Sequence, residues 1–397
     1  MLAIISCFFV TPGREYLSYI NWRTLILLFC LMAVVAGFAK AGVFRYISRK
    51  LSQRMKDTRR LSVGFMLLCF LLSMFVTNDV ALVTVVPLTL LTMMGCSEKA
   101  KIQTLVQETI AANLGSMLTP FGNPQNLYLT SYYGIGMGEF LRLMLPYTGV
   151  ALVILLLQTL ISPKEGLGGR ASEAGIPEGR VKEAAIPEGK NREAASLYES
   201  GENLTGKDEM YEEALREKLL RSKGRLVSIL LYGILFIVSM FSVARILDYR
   251  ILFGIILITI LVYDRSVLRN VNYTLLLTFV SFFVLIGNLG AMTQIQAALT
   301  QMIEGRELLT AILSSQIISN VPAAVLLSGF TDQGKALIVG TDLGGLGTLI
   351  ASMASIITFQ LYSLESGAKK GKYLLTFTLW NVIDLVILGT VAYCMMR

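Results

Sequence analysis

Apolar stretches long enough to cross a lipid bilayer recur along nearly the whole of this chain, and nothing else in the sequence constrains its fold as strongly. A hydrocarbon core of about 30 Å is spanned by about 20 helical residues. Thr24 to Ala39, Leu145 to Ile161, Leu226 to Val243 and Leu374 to Met396 approach or reach that length, and Ile251 to Tyr263 is a shorter example. Charged residues make up only 16% of the chain and the mean hydropathy is +0.64, outside the balance of a soluble domain. A membrane β-barrel would alternate apolar and polar residues in segments of about ten. These runs do not alternate, so the expectation is an all-α membrane protein with about 10–11 transmembrane helices. Met1 to Val10 is apolar but too short to span, and it lacks the basic start and small-residue cleavage site of a signal peptide; it reads as a truncated first helix.

Whole classes of chemistry drop out on residue content. The chain has no His, which removes the commonest metal ligand, the usual general base near neutral pH and every zinc-peptidase helix motif. It has no Walker-type phosphate loop and no paired carboxylates at acid–base spacing, so an enzyme is not expected and no cofactor is implied. Cys7, Cys30, Cys69, Cys96 and Cys394 lie in or beside apolar segments without paired spacing and read as small packing residues. The net charge of +8 sits in loops between apolar runs, which suits an anionic lipid surface rather than nucleic acid.

Residues 163–225 break the apolar pattern with Glu, Lys, Arg, Gly and Ala, and contain a decapeptide repeat, Glu173 to Lys182 followed by Glu183 to Arg192. This composition is that of a solvated low-complexity linker. Its last part, Asp208 to Lys223, mixes Glu with Arg and Lys at helical spacing and leads toward the membrane as a polar helix. The linker divides the chain into two hydrophobic repeats, 1–162 and 226–397. Arg45 to Arg60 carries seven Lys and Arg, and Lys369, Lys370 and Lys372 form a further cluster. The opposite side holds scattered residues such as Arg142, Arg245 and Arg306. The basic side, linker included, is therefore assigned to the cytoplasm and the protein to the cell membrane.

That orientation creates a conflict with an informative solution. Leu61 to Met94 is one apolar run of 34 residues, yet basic loops flank both ends. As a straight helix it would be about 50 Å long, so it must turn back. The polar trio Thr77, Asn78 and Asp79 lies at its middle, and the run reads as a re-entrant hairpin over 61–94. A second hairpin, 308–330, carries Ser319 and Asn320 at its centre and enters from the opposite side. Each hairpin is followed by a broken helix: 101–133, interrupted around Thr119 to Pro124, and 335–362, interrupted at Gly344 to Gly347. At an offset of 229, Asn113 matches Asp342, Thr119 matches Thr348, Asn123 matches Ser352 and Asn126 matches Ser355. Two inverted-topology repeats, each with a hairpin and a broken helix, are the signature of a transporter with a midplane site.

A half-helix ending inside the membrane leaves backbone groups without partners, which a bound ion can satisfy. N-termini suit anions, whereas C-termini and unwound carbonyls suit Na+ or a proton-bearing group. One candidate cluster is Thr77, Asn78, Asp79, Asn113, Thr119, Gly122, Asn123, Pro124, Gln125 and Asn126. Its oxygen ligands suit an alkali cation, and Gly with Pro keeps carbonyls out of the helical ladder. The second is Ser319, Asn320, Thr341, Asp342, Thr348, Ser352 and Ser355. The carboxamides of Asn78, Asn123 and Asn320 are the candidate Na+ ligands. Among intramembrane charges, Asp79 and Asp342 are functional candidates because they sit in the breaks. Asp384 reads as a packing residue, Glu108 as interfacial, and Lys40 as snorkelling to the surface.

These stretches, TNDVALVTVVP from Thr77, NLGSMLTPFGNPQN from Asn113 and SNVPAA from Ser319, resemble the ion transporter superfamily of arsenite permeases, sodium/proton antiporters and divalent anion/sodium symporters. In the symporter branch, Ser-Asn-Thr motifs at the two tips hold sodium and a carboxylate. Here the tips read Thr77-Asn78-Asp79 and Ser319-Asn320-Val321, so the asparagines match and the third positions depart. The resemblance implies a homodimer working by an elevator motion. The expected function is secondary active transport, a Na+- or H+-coupled permease for a small inorganic or carboxylate anion. The alternative is Na+/H+ antiport through Asp79 and Asp342.

Overall fold

A computed structural model describes residues 6, 10, 13, 15–52, 55, 57–166 and 207–396. The decapeptide repeat, Cys7, and most of Met1 to Val10 lie outside the described residues. Among the described residues the structure is helical, and its sole β-pairing is an isolated bridge between Asp57 and Gly166.

The first half contains α1 (Trp22–Lys40), α2 (Val43–Ser52), α3 (Thr58–Phe75), α4 (Asn78–Thr92), α5 (Glu98–Ser116), α6 (Pro124–Tyr133) and α7 (Met137–Ile161). The second contains α8 (Lys207–Val243), α9 (Tyr249–Tyr263), α10 (Tyr273–Ala291), α11 (Thr293–Ile303), α12 (Glu307–Ile318), α13 (Asn320–Ser328), α14 (Gly334–Leu343), α15 (Met353–Ser363) and α16 (Lys370–Met396). Many starts are fixed by a short polar side chain. Asn21 accepts from the Thr24 N–H, Asp57 from Arg60, Ser97 from Ala100 and Asn272 from Leu275, each satisfying an orphan donor of the first turn. The 208–223 stretch is helical and runs without interruption into the apolar part of α8.

Six of these helices, α1, α3, α7, α10, α16 and the part of α8 from Gly224, are long and apolar enough to cross a membrane. Three shorter apolar helices, α4, α9 and α12, accompany them. The shortfall against 10–11 expected spans has a physical cause in the helices that fail the test. In α5, Ala100 and every residue from Ile102 to Ser116 are buried by protein. A helix screened from lipid on all sides has no need of an apolar exterior, so it can carry Gln103, Gln107, Glu108 and Asn113. α7, the apolar part of α8 and α16, by contrast, present rows of exposed Leu, Ile and Val.

α5 lies at the centre, packed by α3, α4, α7, α15 and α16. α15, from the second half, packs on α4 of the first, while α6, from the first half, packs on α13 and α14 of the second. The chain leaving α7 clasps the base of the α3–α4 pair. The Thr58 N–H donates to the Glu165 carbonyl at 2.9 Å, and the Glu165 N–H to the Thr58 hydroxyl at 3.0 Å. Arg59 Nε donates to the Ser162 carbonyl, and the Ser97 N–H and hydroxyl donate to the Glu165 carboxylate.

Candidate functional site

Four helix interruptions bring the polar residues together. α3 gives way to α4 through extended Val76 and Thr77, and α12 to α13 at the single residue Ser319. The legs α12 and α13 have 12 and 9 residues, about 18 and 14 Å, so neither alone crosses a hydrocarbon core. α5 ends at Ser116 and its continuation α6 begins at Pro124; α14 ends at Leu343 and α15 begins at Met353. Ser319 holds φ 73° and ψ 155°, a region almost confined to glycine, and its hydroxyl donates to the Ala351 carbonyl at 3.2 Å. The tip of one pair of helices is thereby tied to the other interruption of the same half.

Asn113 is the hub. Its Oδ1 accepts from Asn78 Nδ2 at 3.0 Å and from the Ser352 hydroxyl at 2.9 Å, and its Nδ2 donates to Ser355 Oγ at 3.4 Å. Across the same volume, Asn123 Nδ2 donates to Asp342 Oδ1 at 2.9 Å and Gln125 Nε2 to the same oxygen at 3.2 Å. Asp342 Oδ2 is buried and makes no hydrogen bond. The Asn126 carboxamide approaches this carboxylate without meeting hydrogen-bond geometry. Residue 113 thus meets 352 while 123 meets 342, the two cross-pairs that the offset of 229 exchanges.

All three candidate Na+ ligands also serve their own helices. Asn78 Oδ1 accepts from the Asp79 N–H, Asn123 Oδ1 from Asn126 and Asn320 Oδ1 from Val321, at 2.9–3.0 Å. The Asn78 and Asn123 oxygens keep a second lone-pair direction open to a cation, whereas the Asn320 oxygen also receives the Ser319 hydroxyl at 3.5 Å. The hydroxyls at the cap positions Thr77, Ser319 and Ser352 make no capping bond. Pro124 opens α6, where its missing N–H costs nothing. Gly122 is required by close approach, since a Cβ there would sit 2.1 Å from the Ser116 carbonyl oxygen.

Other expected ligands are occupied elsewhere. The Thr119 hydroxyl donates to the Met74 carbonyl at 2.6 Å, closing the end of α3. The Thr341 hydroxyl bonds back to Leu337 within its own helix. Thr348 is exposed, its N–H and hydroxyl both directed at Gln316. Asp79 is half-buried in the first turn of α4. Glu108 is fully buried by protein, and its Oε1 accepts from the Thr89 hydroxyl at 2.6 Å. Asp384 is fully buried and accepts from Gln158 Nε2, joining α16 to α7.

Sequence reasoning passed over Gln316. Its Nε2 donates to the carbonyls of Gly344 and Leu346, each at 2.9 Å, while its Oε1 accepts from the Thr348 N–H. Gln316 therefore satisfies the unwound backbone of the second break. Gly347, at φ 102°, lies against it, and a Cβ there would meet Gln316 Oε1 at 2.3 Å. The available signal was a lone amide in an apolar run, three residues before the Ser319 tip.

With this geometry in hand, comparison with known proteins is informative. Residues 1–333 match the model of a family described as citrate transporters. An uncharacterized transporter of Methanocaldococcus jannaschii is 30% identical, over 96% of this chain and 91% of its own. The inner membrane protein YbiR of Escherichia coli is 29% identical over 90% of this chain and 84% of its own. A Dictyostelium discoideum protein with the transporter name arsB is 28% identical over a shorter stretch, 34% of this chain and 24% of its own. These matches bear out the resemblance to the ion transporter superfamily, and they are membrane transporters rather than enzymes.

Proposed function

Because this chain belongs to the citrate transporter family, we propose that it is a secondary active permease coupling Na+ or H+ to movement of a small anion, carboxylate or inorganic. The paired hydrogen bonds Asn113–Ser352 and Asn123–Asp342 carry the reading, because they join the two helix interruptions at one point. On this reading the two halves are inverted repeats, α3–α4 and α12–α13 are re-entrant hairpins, and the solute sits at the midplane. Coupling follows from charge. An ionised Asp342 repels an anion placed in the same low-dielectric volume, and a Na+ ion or a proton removes that repulsion. The coupling cation meets the carboxamide oxygens of Asn78, Asn123 and Asn320, and the anion meets the uncapped N-termini of α4, α13 and α15. The protein works in the plasma membrane with the 163–225 linker in the cytoplasm, as a homodimer moving its hairpins as an elevator.

The test is uptake by purified protein in liposomes, with citrate as the first anion tried under imposed Na+ and pH gradients. Asn78→Ala and Asn320→Ala should abolish gradient-driven uptake while leaving the protein folded. Normal uptake by both variants would refute the assignment. A second reading, Na+/H+ antiport, is favoured by one observation: Asp342 Oδ2 has no hydrogen-bond partner, as befits a carboxylate that exchanges a proton for a cation. Sodium-dependent proton efflux in the absence of any permeant anion, lost in Asp342→Asn, would select it.

A further inference from the structure

Two arginines meet a small cavity where the start of α1, the end of α6 and the chain just beyond α8 come together. Arg23, Arg245, Thr130 and Ser131 line it, with Leu27 and Val243 as apolar wall, and its volume is about 10 Å³. That is about the room one water-sized particle needs. A neutral carbonyl holds each guanidinium: Arg23 Nη2 donates to that of Ser242 and Arg245 Nη2 to that of Ser131, both at 3.2 Å. Gly134, at φ 73°, makes room for Arg245, since a Cβ there would lie 3.2 Å from Arg245 Nη2. Neither arginine forms an ion pair among the described residues. The field of Asp248 reaches Arg23, but Asp248 is exposed and caps α9 by accepting from the Arg250 N–H at 2.8 Å.

The polar wall of the cavity is rich in donors with nothing to bond. Arg23 Nε, the Thr130 hydroxyl and the Ser131 hydroxyl are all buried and make no hydrogen bond. Thr130 as a whole is 5% exposed. Buried donors are rarely left unpaired, and three around one cavity call for an acceptor inside it. A water molecule accepts two hydrogen bonds and carries no charge. It would leave one donor without a partner and the two guanidiniums, which are always charged, repelling each other. An anion answers both needs, and the volume limits it to a single heavy atom.

We propose that this cavity is a halide site, in which one chloride ion accepts from Arg23 Nε, the Thr130 and Ser131 hydroxyls and the Arg245 guanidinium. A monatomic anion accepts from every direction, which suits donors arriving from three separate elements. Carboxylates, phosphate and sulfate are too large for the space. The site is therefore distinct from the one around Asn113 and Asp342 and does not depend on what that one carries. Chloride would tie the two halves of the chain together, since α1 and α6 belong to the first and Arg245 to the second. It would also fix the far end of α6, the helix that carries Gln125 and Asn126 at its start.

The experiment is a thermal-shift titration of the full-length detergent-solubilised protein, in which sodium chloride or sodium acetate replaces sodium gluconate at constant Na+ and ionic strength. Chloride should raise the melting temperature saturably, and acetate should not. Arg245→Gln should abolish the chloride shift. Thr130→Val removes a hydroxyl that bonds nothing in the protein, so it should keep the melting temperature in gluconate and weaken the apparent chloride affinity about tenfold. Asn78→Ala should leave the shift intact, which separates this site from that of a transported anion. An undiminished chloride shift in Thr130→Val, or in folded Arg245→Gln, would overturn the proposal. So would a wild-type melting temperature that chloride leaves unchanged, an equal shift with acetate, or loss of the shift in Asn78→Ala.

Discussion

At the residue scale, the centre of the molecule works through amides. Asn113 joins three elements and Gln316 closes a fourth, and both offer donor and acceptor from one uncharged group. An amide can satisfy broken backbone within a membrane without the desolvation cost of a charge. Gln316→Leu is expected to destabilise the protein by about 1–3 kcal/mol, because it strands two carbonyls and an N–H at once. Thermal unfolding in detergent measures this, and an unchanged melting temperature would show that water replaces the side chain. Asn78, Asn113, Asp342 and Ser352 were legible in the sequence, because polar residues in an apolar run are conspicuous. Gln316 was not, because only the three-dimensional bend of residues 344–348 reveals what it bonds. Thr119 and Thr341 donate their hydroxyls to a carbonyl of a neighbouring helix and of their own, contacts that residue type alone does not reveal.

Among the elements, helices facing lipid and helices facing protein obey different rules. α7, α10 and α16 announce themselves by hydropathy, since their surroundings are apolar on most sides. α5 is polar along its length and was placed only through its breaks, since its environment is the rest of the protein. The residues just after α7 belong to the fold rather than to the linker, as the Glu165 clasp shows. The Ser97 hydroxyl, and after it the Ser97 N–H, hold the Glu165 carboxyl below its ordinary range. A group more acidic in the folded than in the unfolded chain stabilises the fold above its unfolded value, and that stabilisation is lost as pH falls through the folded value. Glu165→Gln should therefore melt below wild type at neutral pH, with the gap closing as pH falls to about 4 and below. A gap that stayed constant over that interval would assign the loss to packing instead.

At the scale of the whole molecule, the two halves are interlaced rather than side by side. α15 rests on α4, and α6 rests on α13 and α14, so each half completes the other's interruption. Lys101, in the first half, pairs with Glu98 at 3.2 Å and with Glu365 of the second half at 3.3 Å, and Lys335 pairs with Glu139 at 2.7 Å. Residues 1–166 and 207–397 expressed as separate chains should therefore copurify and reconstitute transport, while neither alone remains monodisperse; independent stability of either half would contradict this. The central claim is that the interruptions around 113–126 and 342–355 together enclose the transported solutes. Hydrogen–deuterium exchange of the wild-type protein, with and without Na+ and the anion whose uptake the liposomes report, tests it most directly. Both segments should slow together, at the same concentrations, and more with both solutes than with either. Slowing of one segment alone, or of neither under conditions of measured uptake, would contradict the account.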